Sequence, residues 1–147
     1  MRKFEVCRGF ESIGVILPER KTEKSAGYDI RIVEDISIEP GETITAKTGI
    51  KALMQEDEVL FLYLRSSIGL KFNLFIPNSV GVIDADYYGN ADNDGHIMVT
   101  LHNFGKQVVT FQKHERVAQG IFTKFLKVSD EKPVLDKRLG GYGSTGK

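Results

Sequence analysis

Residues 28–51, YDIRIVEDISIEPGETITAKTGIK, decide the fold. Tyr28-Asp-Ile-Arg-Ile32 alternates apolar and polar side chains with the period of two that a half-buried strand requires. Ile36-Ser-Ile38 repeats the pattern and runs into Glu39-Pro-Gly41-Glu, where proline presets φ and glycine permits the reversal. Thr43 to Lys51 is rich in β-branched residues and reads as the next strand. Further along, Val59-Leu-Phe-Leu-Tyr-Leu64 has the length of a buried strand, and Ile97–Leu101, Gln107–Gln112 and Ile121–Val128 continue the series. No long stretch carries a 3.6-residue period; a short helix is expected after Arg65-Ser-Ser, with serine capping its start. Short strands separated by turns predict an all-β sandwich or barrel.

The bulk properties frame that expectation. A chain of 147 residues suits one domain, 1–147. Lys plus Arg and Asp plus Glu both number 20, so no basic excess supports binding along a nucleic-acid backbone. The single cysteine, Cys7, excludes an internal disulfide and has no nucleophile's neighbours in sequence. The start, MRKFEVCRGF, lacks a signal-peptide core, and the longest apolar run is too short for a bilayer, so the expectation is a soluble cytoplasmic protein. His96, His102 and His114 show no metal-ligand spacing and are expected at the surface or at strand edges. The Asp92-Asn-Asp94 run before Gly95 lacks the distal Glu of a calcium loop and is expected as a solvated turn.

Three segments carry chemistry. Arg65-Ser66-Ser67-Ile-Gly69 places a planar guanidinium and two hydroxyls just past an apolar strand, a combination that suits phosphate. In Asn78-Ser-Val-Gly81-Val82-Ile83-Asp84-Ala-Asp86-Tyr87-Tyr88-Gly89, Asp84 falls at a strand end, where a carboxylate can act as a general base. Asn78 offers a donor and an acceptor to a base edge, and Gly81 and Gly89 permit close approach of backbone to a ligand. The tail from Lys137, KRLGGYGSTGK, is too rich in glycine to order itself and is expected to be a mobile lid over about 137–147. Gly141 to Lys147 follows most of the G-x-x-x-x-G-K pattern, but that loop needs a following helix; the segment reads instead as an anion nest.

Taken together and in order, these segments resemble the five motifs of the trimeric dUTPase family. They are Ser25-Ala-Gly-Tyr-Asp29-Ile, Arg65-Ser-Ser-Ile-Gly-Leu, Gly81 to Gly89 with Asn78 upstream, Arg116-Val-Ala-Gln119-Gly-Ile-Phe, and Gly140-Gly-Tyr-Gly-Ser-Thr-Gly146. The resemblance implies a β-clip, jelly-roll-like subunit in a homotrimer, with the tail exchanged onto a neighbour's site and Mg²⁺ assisting hydrolysis of dUTP to dUMP and pyrophosphate. It implies that Asp84 activates the water that attacks the α-phosphorus, and that Asn78, Met98 and the backbone over Gly81, Val82 and Ile83 read uracil. Tyr87 would pack on deoxyribose. Arg65, Ser66, Ser67 and Gln119 would engage the phosphates or the water. Tyr142 would stack on uracil, while Gly143, Ser144 and Thr145 hold the γ-phosphate beside Arg138 or Lys137. No residue is assigned as a direct metal ligand; Asp29 is a candidate for orienting a metal-bound water.

The chain departs from the family pattern at Tyr88, where arginine is usual, at Tyr142, where phenylalanine is usual, and in an insertion, Asn90 to Gly95. Two other readings stand beside this one. They are a nucleotide enzyme resembling dCTP deaminase, for which no matching acid–base set is found, and a phage-type regulatory protein acting through a protein partner.

Overall fold

The computed structural model describes residues 1–142. In chain order the strands are β1 (Lys3–Val6), β2 (Tyr28–Arg31), β3 (Ile36–Ile38), β4 (Thr43–Leu53) and β5 (Glu58–Leu64). Then come the helix α1 (Ser66–Phe72), β6 (Leu74–Phe75), β7 (Gly81–Asp84), a 3₁₀ turn (Ala85–Tyr87), β8 (Ile97–Asn103), β9 (Val109–Phe111) and β10 (Arg116–Lys124). One four-stranded sheet has the order β1-β4-β8-β6, a second β2-β10-β5-β7, and β3 pairs with β9. Every pairing between these strands is antiparallel. Ile97, Val99 and Leu101 of the first sheet and Ile30, Leu60 and Ala118 of the second join in one buried core. The fold is all-β and jelly-roll-like, as expected.

Several boundaries differ from the sequence reading for physical reasons. β10 begins at Arg116 and ends at Lys124, because its partner β5 offers a ladder only from Leu64 back to Glu58. Residues 125–128 lie beyond that ladder and are exposed. β9 is short because β3 presents three residues to it. In α1 the serines lie in the first turn; Arg65 occupies the N-cap and no side chain caps it. β1, unforeseen from four residues of mixed polarity, pairs with the end of β4.

His96 corrects another expectation. It is 7% exposed, not a surface residue. The β4–β8 ladder is irregular between Lys47 and Ile50, where Gly49 takes a φ of 70°. His96 Nε2 accepts hydrogen bonds from the amides of Gly49 (3.0 Å) and Thr48 (3.3 Å), satisfying donors the irregularity leaves without a strand partner. That role needs the neutral imidazole. Burial, with a smaller contribution from the Lys47 charge, pushes its pKa down to about 4.

The unfolded histidine titrates near its ordinary value of 6.5. As pH falls from 6.5 to 4, the unfolded chain binds a proton that the folded chain refuses. The contribution is therefore fully present above pH 6.5, is lost through that window, and amounts to about 3 kcal/mol. Urea unfolding at pH 7.0 and 4.5 should show a loss of stability in the parent that is reduced in His96→Gln. An equal loss in both proteins would remove His96 as the cause.

Candidate functional site

The candidate site grows from the edge of the second sheet. β7 pairs only with β5, in the register Leu62↔Gly81 through Val59↔Asp84. Among the described residues its other edge has no strand partner, which leaves backbone donors and acceptors outside the ladder on that side. Gly81 is needed for packing against β5. A Cβ there would lie 2.9 Å from Leu62 Cβ. At Gly89 the need is conformational, a φ of 67° in the turn that follows.

A cavity of about 520 Å³ opens between β7 and the outward side of β8. Among its lining residues are Asn78, Gly81, Val82, Ile83, Asp84, Tyr87, Met98, Arg138 and Tyr142, all foreseen from sequence. Leu62, Ile76, Pro77, Thr100 and Gly141 complete it and were not foreseen. Strand alternation would have found Thr100, since Met98 and Thr100 stand on one face of β8.

Charge converges at the cavity mouth. Arg138 Nη2 lies 2.5 Å from Asp84 Oδ2, and its Nε donates to Asp86 Oδ1 at 2.8 Å. The guanidinium carbon stands 5.8 Å from the Tyr87 ring centroid. Arg138 is held on three sides while both carboxylates remain largely exposed. Tyr142 Oη is 2.9 Å from Thr100 Oγ1. Residues 138–142 thus lie over their own chain's cavity, whereas the expected exchange would put them over a neighbour's. In one chain taken singly, Arg138 finds only its own Asp84 and Asp86.

Tyr87 sits in the 3₁₀ turn, not in a strand, and is buried. Its Oη donates to the His96 carbonyl (2.7 Å) and accepts from Asn93 Nδ2 (2.8 Å). Burial raises its phenol pKa. Tyr88 points elsewhere: its hydroxyl bonds Glu5 and its ring lies under Lys51 Nζ at 5.0 Å. The run Asp92–Asp94 is not merely a solvated turn. Asp94 Oδ2 receives Lys51 Nζ at 2.8 Å and the Arg8 amide at 2.9 Å, which together with that cation hold its carboxyl below the usual range against the cost of burial.

Arg65, Ser66, Ser67 and Gln119 do not line this cavity. Arg65 and Gln119 lie beside Asp29. Its carboxylate takes Arg65 Nε at 3.2 Å and Arg116 Nη1 at 2.8 Å, and Gln119 pairs with it across β10 and β2. Asp29 therefore anchors two guanidinium groups. Arg116 opens the fourth motif but was given no role from sequence, because its partnership with Asp29 exists only across the paired strands. Gly143, Ser144 and Thr145 lie outside the described residues. Among the described residues no group of three or more His, Cys, Asp or Glu is arranged to hold a metal ion, and no helix is long and apolar enough to cross a membrane. Cys7 is buried, and burial pushes its thiol up to about 12, which keeps it protonated and inert.

Comparison with known proteins shows the family. A family model described as dUTPase matches residues 14–146. The chain is 48% identical over 147 residues to the deoxyuridine 5'-triphosphate nucleotidohydrolase of Lactococcus lactis subsp. lactis, covering 99% of this chain and 98% of the relative. It resembles the crystal structure of dUTPase from Streptococcus mutans with a TM-score of 0.81 and 42% identity, over 86% of this chain and 98% of that one. A mutant dUTPase of S. aureus phage phi11, described as coordinating a structural Mg(II) ion, shares the fold at a TM-score of 0.72 and 20% identity, over 92% and 97% of the two chains.

Proposed function

The chain belongs to the dUTPase family, and from that premise we propose how its own residues carry the reaction. It is a dUTP diphosphatase, releasing dUMP and pyrophosphate. In the proposed mechanism Asp84 takes a proton from water as the water oxygen bonds to the α-phosphorus. The bond from that phosphorus to the bridging oxygen breaks, and pyrophosphate leaves. The observation that carries this reading is the convergence on one cavity of a strand-end carboxylate, an unpaired strand edge and an aromatic ring.

Each part has a task. The free edge of β7 and the Asn78 side chain present donors and acceptors to the uracil edge, with Met98 behind them. Tyr87 offers a fixed aromatic edge to deoxyribose. Arg138 exchanges its two carboxylates for substrate phosphate, which leaves Asp84 free to accept the proton. Tyr142 closes over the base. Mg²⁺, when bound, neutralises charge on the phosphates. Asp84 and Asp86 are the carboxylates that would hold it through water, since such an ion keeps its waters and needs no cage of side chains. Arg65, Ser66, Ser67 and Gln119 do not line their own chain's cavity, which supports a homotrimer in which a neighbouring subunit supplies those groups to the phosphates.

The test is pyrophosphate release from dUTP beside UTP, dTTP and dCTP. Preference for dUTP is expected; no release from dUTP, or equal release from UTP, overturns the reading. Tyr87→Ala should lower the dUTP-to-UTP ratio of kcat/KM by about tenfold, because a 2′-hydroxyl would no longer be buried without a partner. Tyr88→Ala should leave the ratio intact, since that ring packs against Lys51 and Glu5. The reverse pattern would assign the sugar contact to Tyr88.

A further inference from the structure

The insertion Asn90–Gly95 departs from the family pattern and has no part in the mechanism above, yet it is built around Tyr87. Asn90 Nδ2 donates to the Tyr87 carbonyl and to Asn93 Oδ1, both at 2.8 Å. Asn90 Oδ1 accepts from the amides of Asp92 (3.0 Å) and Asn93 (3.1 Å), so the loop is wound on a buried amide side chain. Asn93 Oδ1 also accepts from the Gly95 amide at 3.1 Å, which leaves its Nδ2 directed at Tyr87 Oη. Tyr87 already spends its proton on the His96 carbonyl, so its oxygen needs a donor, and Asn93 supplies one.

The other side of the same amide meets the tail. A Cβ built on Gly141 would lie 2.8 Å from Asn93 Cγ and Nδ2 and from Asp92 Oδ2. A side chain at 141 would force Asn93 and Asp92 to shift. Asn93 therefore stands between the ring that faces the sugar and the backbone of the lid.

We propose that Asn93 is a positioning residue for sugar selection, fixing the Tyr87 ring through its hydroxyl and seating the lid at Gly141. The insertion then couples lid closure to the wall that excludes a 2′-hydroxyl. This rests on the dUTP diphosphatase reading, and the wild-type protein tests that reading separately. A wild type that releases no pyrophosphate from dUTP sinks the reading; the variants below, judged against an active wild type, sink only the inference.

Asn93→Ala should lower the dUTP-to-UTP ratio of kcat/KM by about fivefold, the size of one ordinary neutral hydrogen bond. A purely structural loss would lower both substrates alike and leave the ratio unmoved. The chain contains no tryptophan, so Tyr142→Trp gives a single reporter of lid closure on titration with α,β-imido-dUTP. In that background Gly141→Ala should abolish the fluorescence change at concentrations that saturate the parent. Adding Asn93→Ala should restore it, because two of the three close contacts go with the shortened side chain and the third is the end of the exposed Asp92 side chain, which can turn aside. All seats and all tails carry the same changes in these variants, so the result holds whichever chain supplies the lid. An unchanged dUTP-to-UTP ratio in Asn93→Ala, normal closure in Gly141→Ala, or no restoration in the double variant each overturns the proposal.

Discussion

Asp84→Asn should fold, bind nucleotide and lose turnover by about 10²–10⁴, the range typical of a removed general base. The substitution is nearly isosteric, and an amide oxygen can still accept from Arg138, whose contact with the Asp84 carboxylate measures 2.5 Å. Substrate entry and tail placement are therefore spared. What disappears is the lone pair that takes the water's proton, because a carboxamide is too weak a base to do so. Asp86 is the internal control. It pairs with the same guanidinium but follows the strand end instead of terminating it. Asp86→Asn should cost far less. The measurement is single-turnover release of pyrophosphate, with affinity for α,β-imido-dUTP by calorimetry to show that binding survives. If Asp84→Asn retains near-parental kcat, or if Asp86→Asn shows the larger loss, the proton acceptor is misassigned.

That Asp84 was legible before any coordinates follows from how strands advertise themselves. Gly-Val-Ile-Asp reads as three strand positions closing on a carboxylate, and β7 ends there. The same logic located β3 to the residue and β2, β4, β5 and β8 to within one or two, since a buried face imposes its period on the sequence. Where partner geometry sets the limit, local pattern fails. β10 stops when β5 runs out, and no residue in 121–128 announces it. His96 was misplaced for a related reason. Its burial follows from two amides displaced by an irregularity in another strand, a relation that exists only after folding. Asn93 was invisible in the same way. Within the loop sequence it is one more turn residue; its meaning comes from Tyr87 on one side and Gly141 on the other.

The site also divides along that line. Residues contiguous in sequence and adjacent on β7 or β8 came together in one chain. Arg65 and Gln119, required near the phosphates by resemblance, gather around Asp29 instead. A single chain thus holds the proposed base-reading and proton-accepting groups in one place and the proposed phosphate-binding groups in another. Either each half serves a separate purpose, or chains complete one another.

Deleting residues from Gly140 onward separates these alternatives. The truncation removes Gly141, Tyr142 and the remaining tail but touches none of the ten strands, so assembly measured by sedimentation should be unchanged. Hydrolysis should fall by about 10², the scale on which loss of a preorganised anion-stabilising group is felt. A fully active truncated monomer would refute both the lid and the trimer. The sharper experiment mixes truncated chains, which keep Asp84 but lack a lid, with full-length Asp84→Asn chains, which keep the lid but lack the base. If each tail closes over its own cavity, as residues 138–142 do in the single chain, no mixed assembly contains a complete site. If tails are exchanged, a truncated subunit borrows its neighbour's lid over an intact Asp84, and activity returns after the chains are unfolded and refolded together. Recovery is the expected result, because Arg65, Ser66, Ser67 and Gln119 do not line their own chain's cavity, so a complete site would draw on more than one chain. Absence of recovery in refolded, assembled mixtures would fix closure within each chain.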